Sequence, residues 1–374
     1  MKKQISRILA TAVLSASLFI TSCSDDDNNS TKSTFVLDRE NLKGDINDGT
    51  VTLESGTYKL TGKLVVKETA KLVIKPGVII EATDATTDGV VRYIAIAQGG
   101  EIDVQGTASN PVVMTSTVKE PGKWGGLVIC GKAPINKGLT ASAEVSELTY
   151  GGAISNDSSG SIRYLRLEYT GYAYNNDKEF NGLSLFGVGS GTLIEYVQSY
   201  EGSDDAFEWF GGTVNAKYLV AFRGWDDEFD TDNGFSGSVQ FCLAVRDPQL
   251  ADNPAVSTSE FFESDNNASG TAATPLTSGL FSNATCIGAL RGAPTSTLIA
   301  SGHRNRVRIR RNSALKIYNS IFTDQVTRGL FIDGSASETN ALNGSLKFKN
   351  NILAGYAQRA TESGTFGIIG SNKF

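Results

Sequence analysis

Histidine, cysteine, proline and long apolar runs are scarce in this chain. Its 374 residues include one histidine, four cysteines and eight prolines. The cysteines form no C-x-x-C pair, which argues against a zinc knuckle or a redox motif, and we expect Cys130, Cys242 and Cys286 in the core because their neighbours are apolar. The net charge of −6 argues against nucleic acid as a partner. Beyond residue 20, no apolar run approaches the roughly 20 residues of a membrane helix, which excludes a channel or a transporter.

Glycine, by contrast, is abundant, with 40 residues, and long helical periodicities are absent. The segment 202–234 aligns with itself at a shift of 22 residues, which places Asp204 on Asp226 and Phe207 on Phe229. Repeats of roughly 20–50 residues with internal alternation of apolar residues indicate a solenoid. We therefore predict an all-β fold over residues 35–374, a single-stranded right-handed parallel β-helix, with a long loop insertion at about 246–279.

The alternation within the repeats predicts which side chains face the core. Leu183, Phe207 and Phe229 align in one column, and the next column contains Leu185 and Trp209, so both columns are expected to point inward. Between them runs a column that is expected to face water, formed by Ser184, Glu208 and Asp230. A third set of equivalent positions, which tolerate left-handed turns, contains Asn283, Asn319 and Asn350.

The first 22 residues have the features of a signal peptide. Basic residues precede an apolar run from Ile8 to Ile20, which is too short to span a bilayer. The run ends in Ile-Thr-Ser-Cys, which resembles the lipobox of bacterial lipoproteins and implies that Cys23 is lipidated. Residues 23–34 are polar and are expected to form a flexible tether. The acidic run at 25–27 resembles an export signal, so we expect an outer-membrane lipoprotein exposed on the surface of a Gram-negative cell.

Several longer segments carry a family resemblance that spans about residues 50–355. They include LVIKPGVIIEA, GKWGGLVICGKAPIN, NGLSLFGVGSGTLIEYVQ, DDAFEWFGGTVNAKYLVAFRGWDDEFDTDNG and FFESDNNASG. The chain resembles a family of secreted bacterial β-helix lipoproteins and cell-surface proteins. That resemblance implies the fold and the location, and it implies no particular activity.

An acidic cluster is the first candidate site. Its predicted metal ligands are Asp204, Asp205, Asp226, Asp227, Asp230 and Asp232. Coils about 4.8 Å apart bring such carboxylates close together, and calcium, which takes six to eight oxygen ligands, suits that arrangement. The alternative is a set of turn-forming aspartates that accept backbone amides, with Lys217 and Arg223 as counter-ions.

Aromatic and basic side chains supply the predicted ligand-binding residues. Tyr164, Tyr196 and Tyr218 fall in register as an outer ladder, which suits stacking on sugar rings unless a loop covers it, and Trp225 lies in a turn nearby. The basic strand HRNRVRIRR suits an anionic glycan or, alternatively, pairs with acidic residues of neighbouring coils. Its predicted ligand-binding members are Arg304, Arg306 and Arg308.

Three functional hypotheses follow from these sites. The first is a non-catalytic surface protein that binds a glycan or another extracellular partner, with calcium as the only cofactor and the lipid anchor as the only membrane contact. The second is a polysaccharide-degrading lyase or hydrolase, because the two aspartate pairs with His303 and Arg308 resemble the catalytic set of the polygalacturonases. The chain departs from that family in that Asp230-Thr231-Asp232 follows the aspartate pairs, whereas the corresponding motif of the family precedes them. The third is a structural spacer without a ligand.

Overall fold

The computed structural model describes residues 33–175, 178–255, 257–291, 298–324, 326–355 and 358–362. The predicted signal peptide, Cys23 and most of the tether lie outside the described residues. Within the described part of the chain, one helix is present, α1 (Ser335–Leu342), and it is too short to cross a membrane.

The strands are short and follow one another around successive coils. In chain order they are β1 (Leu42–Ile46), β2 (Thr50–Leu53), β3 (Gly56–Val66), β4 (Lys71–Ile74), β5 (Val78–Ala82), β6 (Ile94–Ile96), β7 (Glu101–Gln105), β8 (Val112–Ser116), β9 (Leu127–Cys130), β10 (Ala141–Ser142), β11 (Thr149–Tyr150), β12 (Gly160–Glu168), β13 (Ala173–Asn175), β14 (Lys178–Glu179), β15 (Leu183–Phe186) and β16 (Leu193–Tyr200). The remainder are β17 (Phe207–Phe210), β18 (Asn215–Phe222), β19 (Phe229–Asp232), β20 (Ser238–Gln240), β21 (Leu243–Val245), β22 (Phe262–Ser264), β23 (Leu280–Ser282), β24 (Thr285–Ile287), β25 (Val307–Arg310), β26 (Lys316–Tyr318), β27 (Ile321–Thr323), β28 (Arg328–Asp333), β29 (Lys347–Lys349), β30 (Ile352–Ala354) and β31 (Gln358–Glu362).

Parallel pairing stacks these strands into three faces, and 27 of the described strands belong to one continuous hydrogen-bonded sheet. The first face contains β2, β4, β7, the first halves of β12, β16 and β18, and then β20, β23, β26 and β29. The second contains the start of β3, then β5, β8, the second halves of β12, β16 and β18, and β21, β24, β27 and β30. The third contains the end of β3, then β6, β9, β15, β17, β19, β22, β25, β28 and β31. The predicted parallel β-helix is therefore confirmed.

The core runs along the inside of the coils and follows the two predicted inward columns. Ser184, which was predicted to face water, is instead fully buried and accepts a hydrogen bond from Asn181. Phe207 pairs with Phe229 in register, and both side chains are fully buried with ring centroids 5.8 Å apart. Trp209 is buried beside them, whereas Glu208, which lies between the two inward positions, faces outward. Cys242 and Cys286 are buried in this core as predicted.

One corner of the coil, between the first and second faces, holds residues in the left-handed backbone conformation. Their φ angles lie between 50° and 61° in seven successive coils, at Tyr164, Tyr196, Tyr218, Phe241, Asn283, Asn319 and Asn350. The predicted asparagine column and the tyrosine column are thus one continuous column, and Phe241 joins them. Asparagine adopts this conformation readily, whereas an aromatic residue does so at an energetic cost.

Two segments outside the coils cover the N-terminal part of the third face. Residues 131–159, with the β10–β11 hairpin, and the described residues 169–175 and 178–182, with the antiparallel pair β13–β14, flank β12 in sequence. Their side chains Ile135, Tyr150 and Phe180 bury the outer surface of the face in a second apolar cluster, which also contains Cys130. The covering ends where the third face becomes acidic.

The predicted insertion at 246–279 is not a single loop, so that prediction is corrected. Residues 262–264 form β22, which pairs with β19 on one side and β25 on the other. This strand could not be predicted from the sequence because turn-forming residues precede and follow it. The described residues that remain, 246–255, 257–261 and 265–279, form loops on either side of this strand.

Candidate functional site

A cavity of about 780 Å³ lies on the outer side of the third face. Ten of the described residues that line it are acidic and one is a lysine. The acidic residues are Glu144, Glu179, Asp204, Asp205, Glu208, Asp226, Asp227, Asp230, Asp252 and Glu263. We call this site the acidic cavity.

Three parts of the fold bring these carboxylates together. The floor is the outward column of the third face, where Glu208, Asp230 and Glu263 pair in register on β17, β19 and β22. The corner before these strands supplies the two aspartate pairs, one coil apart. The covering segments contribute Glu144, Lys178 and Glu179, and the 246–261 loop contributes Asp252, so the walls come from outside the coils.

One member of each aspartate pair has a structural role. The Asp227 amide donates to Asp205 Oδ1 at 2.9 Å, and the Glu260 amide donates to Asp227 Oδ1. These bonds tie each corner to the next coil, as the alternative interpretation predicted. The counter-ions of that interpretation are elsewhere, however, because Lys217 lies 4.0 Å from Glu195 and Arg223 lies 2.9 Å from Glu201.

The remaining carboxylate oxygens converge on one another. In three groups the ligand oxygens all lie within 4.8 Å of one another, and the groups are Asp204–Asp205–Asp226, Asp205–Glu208–Asp230 and Asp227–Asp230–Glu263. Asp205 and Asp230 each belong to two groups, so the groups form a continuous row. Asp226 Oδ1 and Asp230 Oδ1 are buried and accept no hydrogen bond. Buried anionic oxygens without a partner are strongly unfavourable unless a proton or a cation compensates them.

Burial and mutual repulsion raise the pKa of these carboxyl groups. Burial raises the pKa of Asp205 well above its ordinary value, and repulsion from Asp204 and Glu208 raises it further. Asp226, Asp227 and Asp230 are affected in the same direction by the same two causes. Burial raises the pKa of Glu263 to about 8, although Arg310 opposes this increase. These carboxyl groups are therefore neutralised either by protons or by a bound cation, and their oxygens are ligands of the kind that Ca²⁺ takes.

The structure changes the predicted ligand set at three positions. Asp232 lies outside the three groups and does not line the acidic cavity, because it is two residues further along β19, where its Oδ1 accepts the Asn233 amide. Glu208 and Glu263 join the groups although the sequence prediction omitted them as ligands. The register of Glu208 with Asp230 was readable from the 22-residue repeat, whereas Glu263 lay in the supposed insertion.

The tyrosine ladder exists, but its ring faces are largely covered. The Tyr164 and Tyr196 centroids are 4.4 Å apart with an interplanar angle of 3°, and Tyr196 and Tyr218 are 4.5 Å apart at 11°. Phe241 continues the stack 5.3 Å beyond Tyr218. Each inner ring is sandwiched by its neighbours, so the ladder presents ring edges along a groove of about 450 Å³. The groove and the acidic cavity share no lining residue.

The basic strand does not present its arginines as a single binding surface. Arg306 is fully buried and donates to the carbonyls of Ala354 and Gly355, because the strand begins only at Val307 and the alternation does not extend to residue 306. Arg308 lies 2.8 Å from Asp333 and 3.6 Å from Glu263, as the ion-pairing alternative predicted. Arg304 is exposed and precedes the strand. The prediction of a ligand-binding role is corrected for Arg306.

His303 does not reach the aspartates. It is buried, it does not line the acidic cavity, and its Nε2 lies 2.9 Å from the Asp247 carbonyl oxygen. Burial lowers the pKa of His303 to about 4. Trp225, in the turn before β19, is half-buried and does not line the cavity, and its backbone amide donates to the Gly202 carbonyl at 3.0 Å.

Comparison with known proteins gives one match. The family described as pectate-lyase-like β-helix domain matches residues 44–371, which include nearly all of the coils. No curated protein and no solved structure matches the chain.

Proposed function

The chain belongs to the family of pectate-lyase-like β-helix domains, and from that premise we propose that it binds a carboxylate-bearing glycan through divalent cations in the acidic cavity. The observation that carries the proposal is the row of three overlapping carboxylate groups, whose buried oxygens lack enough positive charge. Calcium is the cation that we propose, because it accepts many oxygen ligands in irregular geometry. A cation held by the protein on one side bridges to the acidic groups of a ligand on the other.

The proposal favours binding over hydrolysis for two reasons. A glycoside hydrolase needs two carboxyl groups about 5–9.5 Å apart with room for a sugar between them. Within each of the three groups the oxygens lie within 4.8 Å of one another, which is a spacing for a shared cation. In addition, His303, the histidine of the enzyme hypothesis, is buried outside the cavity.

We also propose that the protein acts at the cell surface. The support for this location is the signal sequence followed by Cys23 and an acidic tether. An extracellular position gives the cavity access to calcium and to polymeric glycans, and it is consistent with a domain whose match is to a polysaccharide-associated family.

The cation component is tested by thermal melting with calcium or with chelator. At a concentration of one hundred times Kd, calcium is expected to stabilise the wild type by about 2.7 kcal/mol, which raises the midpoint by several degrees. The double substitution Asp226→Asn with Asp230→Asn removes oxygens from all three groups and is expected to abolish the increase. Asp232→Asn, on the same strand but outside the groups, is the matched control and should keep it. Equal midpoints for the wild type with and without calcium would refute the cation site.

The glycan component is tested with uronate-bearing and neutral oligosaccharides on an array. Binding to the uronate set, in calcium but not in chelator, is the expected result, and the Asp226→Asn/Asp230→Asn variant should lose it. Binding that is equal for neutral and acidic sugars, or indifferent to calcium, would contradict the proposal.

A second candidate is a polysaccharide lyase or hydrolase that uses the same cavity. One observation favours it: Glu263, with its pKa raised to about 8, stands 3.6 Å from Arg308, which places a group that titrates near neutral pH beside a cation. Shortened oligosaccharides in the same incubation would establish the enzyme, whereas binding without product supports the first proposal. If the protein is a structural spacer, neither glycan binding nor shortened oligosaccharides will be observed.

A further inference from the structure

The outward column of the third face changes from acidic to basic just beyond the acidic cavity. Glu208, Asp230 and Glu263 are followed in register by Arg308 on β25 and by Phe331 on β28. The side chains of Glu263 and Arg308 lie 3.6 Å apart, so the basic part begins where the cavity ends. The cation site that we propose therefore uses only the acidic part of this column.

Two arginine side chains lie against the ring of Phe331. The guanidinium carbon of Arg328 is 4.6 Å from the ring centroid, and that of Arg308 is 5.9 Å from it. Like charges that approach the same ring repel one another unless anions compensate them. For Arg308 these anions are Asp333 and Glu263, at 2.8 and 3.6 Å.

Arg328 lacks such compensation. Among the residues that the structure describes, it forms no ion pair, although its neighbours Arg308, Arg310 and Arg311 all do. Its Nη1 donates to the neutral amide oxygen of Asn305 at 3.2 Å, and its Nε is buried without a hydrogen-bond partner. Because an arginine stays charged at neutral pH, this half-buried guanidinium favours an anionic ligand.

A chain of hydrogen bonds along the corner before the third face connects Arg328 to the acidic cavity. It begins with the bonds already described, from the Asp227 amide to Asp205 and from the Glu260 amide to Asp227. It continues from Asn305 Nδ2 to Glu260 Oε1 at 2.6 Å and ends with the bond from Arg328 to Asn305. The cation ligands and Arg328 therefore lie along one corner of the coils.

We infer that Arg328 binds a carboxylate of the glycan directly, without a cation, a short distance along the polymer from the units held in the acidic cavity. This inference rests on the proposed function and adds a specificity-determining residue to it. The planar guanidinium presents paired donors that match the two oxygens of a carboxylate, and the ring of Phe331 holds it in place.

The position of Arg328 restricts the ligand to an oligomer. Glu263 and Phe331 are two coils apart, which corresponds to roughly 10 Å along the axis of the helix. A single uronate in the acidic cavity does not cover that distance, whereas an acidic polysaccharide presents further carboxylates along its length. The site thus selects a glycan with acidic groups on more than one unit over one with a single acidic group.

Titration with uronate oligosaccharides of increasing length, in calcium, tests the role of Arg328. The wild type is expected to bind more tightly once the oligosaccharide is long enough to reach Arg328. Arg328→Gln should weaken the binding of long oligosaccharides about tenfold and leave that of a single uronate unchanged. Arg328→Lys keeps the charge but lacks the planar donors, so a partial loss is expected. Arg163→Gln removes the same charge from the first face, where Arg163 pairs with Glu195, and is the matched control.

Thermal melting distinguishes a failure of this inference from a failure of the cation site. Arg328 belongs to none of the three carboxylate groups, so Arg328→Gln should keep the increase in midpoint that calcium produces. An Arg328→Gln variant that binds long oligosaccharides as tightly as the wild type would overturn the inference and leave the proposed function standing. A wild type that binds no uronate in calcium, or whose midpoint calcium does not raise, would refute both.

Discussion

Asp226 and Asp230 are held close to other carboxylates by a register that also buries Phe229 between them. Inward packing fixes the outward positions, because successive side chains of a strand alternate between its two sides. Hydrophobic burial of an aromatic side chain contributes on the order of 2–3 kcal/mol, which offsets part of the repulsion on the opposite side. The acidic cavity is therefore maintained by the core behind it.

The raised pKa values predict how stability depends on pH in the absence of divalent cations. Burial raises the pKa of Glu228 and of Asp232 to about 7 and that of Glu263 to about 8, so the folded state holds protons that the unfolded state has released. Stability from these groups is fully present below their unfolded pKa of about 4. Above it the stability falls by up to roughly 1.4 kcal/mol per pH unit and proton, and it is lost at about pH 7 to 8, where the groups ionise in the folded state as well.

The measurement is the melting midpoint in chelator between pH 5 and 8.5. His303, whose pKa burial lowers to about 4, acts in the opposite direction below about pH 6.5, but it is one group against three. We expect the midpoint to fall over this range, and to fall less in calcium, which replaces the protons. A midpoint in chelator that rises with pH would contradict the assignment of these carboxyl groups.

Sequence reasoning identified single residues where the repeat was intact. Five of the six predicted aspartate ligands lie in the three carboxylate groups, because Asp204 and Asp226 are one coil apart at the 22-residue spacing. Glu263 was not predicted as a ligand because the chain between Asp230 and Glu263 contains a loop, so the spacing differs from the 22 residues of the preceding repeat. Arg306 was misassigned because strand alternation was extended into a corner, where the backbone no longer alternates.

At the scale of the element, the left-handed corner governs how each coil turns from the first face to the second. A non-glycine residue in this conformation costs roughly 1–2 kcal/mol, which asparagine reduces. In the ladder, stacking between rings, worth about 0.5–1.5 kcal/mol for each pair, compensates for the same cost. Asparagine at one end of the column and stacked aromatic rings at the other thus both reduce the net cost of the left-handed backbone conformation.

Asn319 offers a direct test of this cost, because its φ is 52° and its side chain makes only a long 3.5 Å contact with Ser282 Oγ. Asn319→Ala is expected to lower the free energy of unfolding by about 1 kcal/mol. Asn319→Gly, which removes the same side chain but permits the conformation, should be close to the wild type. Chemical denaturation compares the three proteins, and an alanine variant as stable as the glycine variant would show that the corner carries no strain.

The coils were predictable as elements, whereas the segments that cover the third face were not. The columns of Phe207 with Phe229 and of Tyr196 with Tyr218 repeat along the chain, and each coil needs only its neighbours. The β10–β11 and β13–β14 hairpins have strands of two or three residues. Their contacts with the third face join parts of the chain that no local pattern connects, and these contacts supply the walls of the acidic cavity.

For the whole molecule, the third face is divided by chemistry along its length, since it is covered in its N-terminal part, acidic in the middle and basic at β25 and β28. The predicted lipid anchor at Cys23 belongs to the whole molecule and is tested by substitution. Cys23→Ser is expected to move the protein from the membrane fraction to the soluble fraction and to abolish labelling by palmitate, with no change in melting midpoint. Membrane association of the variant that equals that of the wild type would disprove the anchor.

The column of left-handed residues at the corner differs in composition between its two ends. Because all coils wind the same way, the column reads three tyrosines, one phenylalanine and three asparagines from the N-terminal to the C-terminal end, never the reverse. An elongated polymer lying along this edge would meet aromatic rims at one end and amides at the other. The two ends of this edge therefore differ in chemistry, although the backbone turns in the same way at every coil.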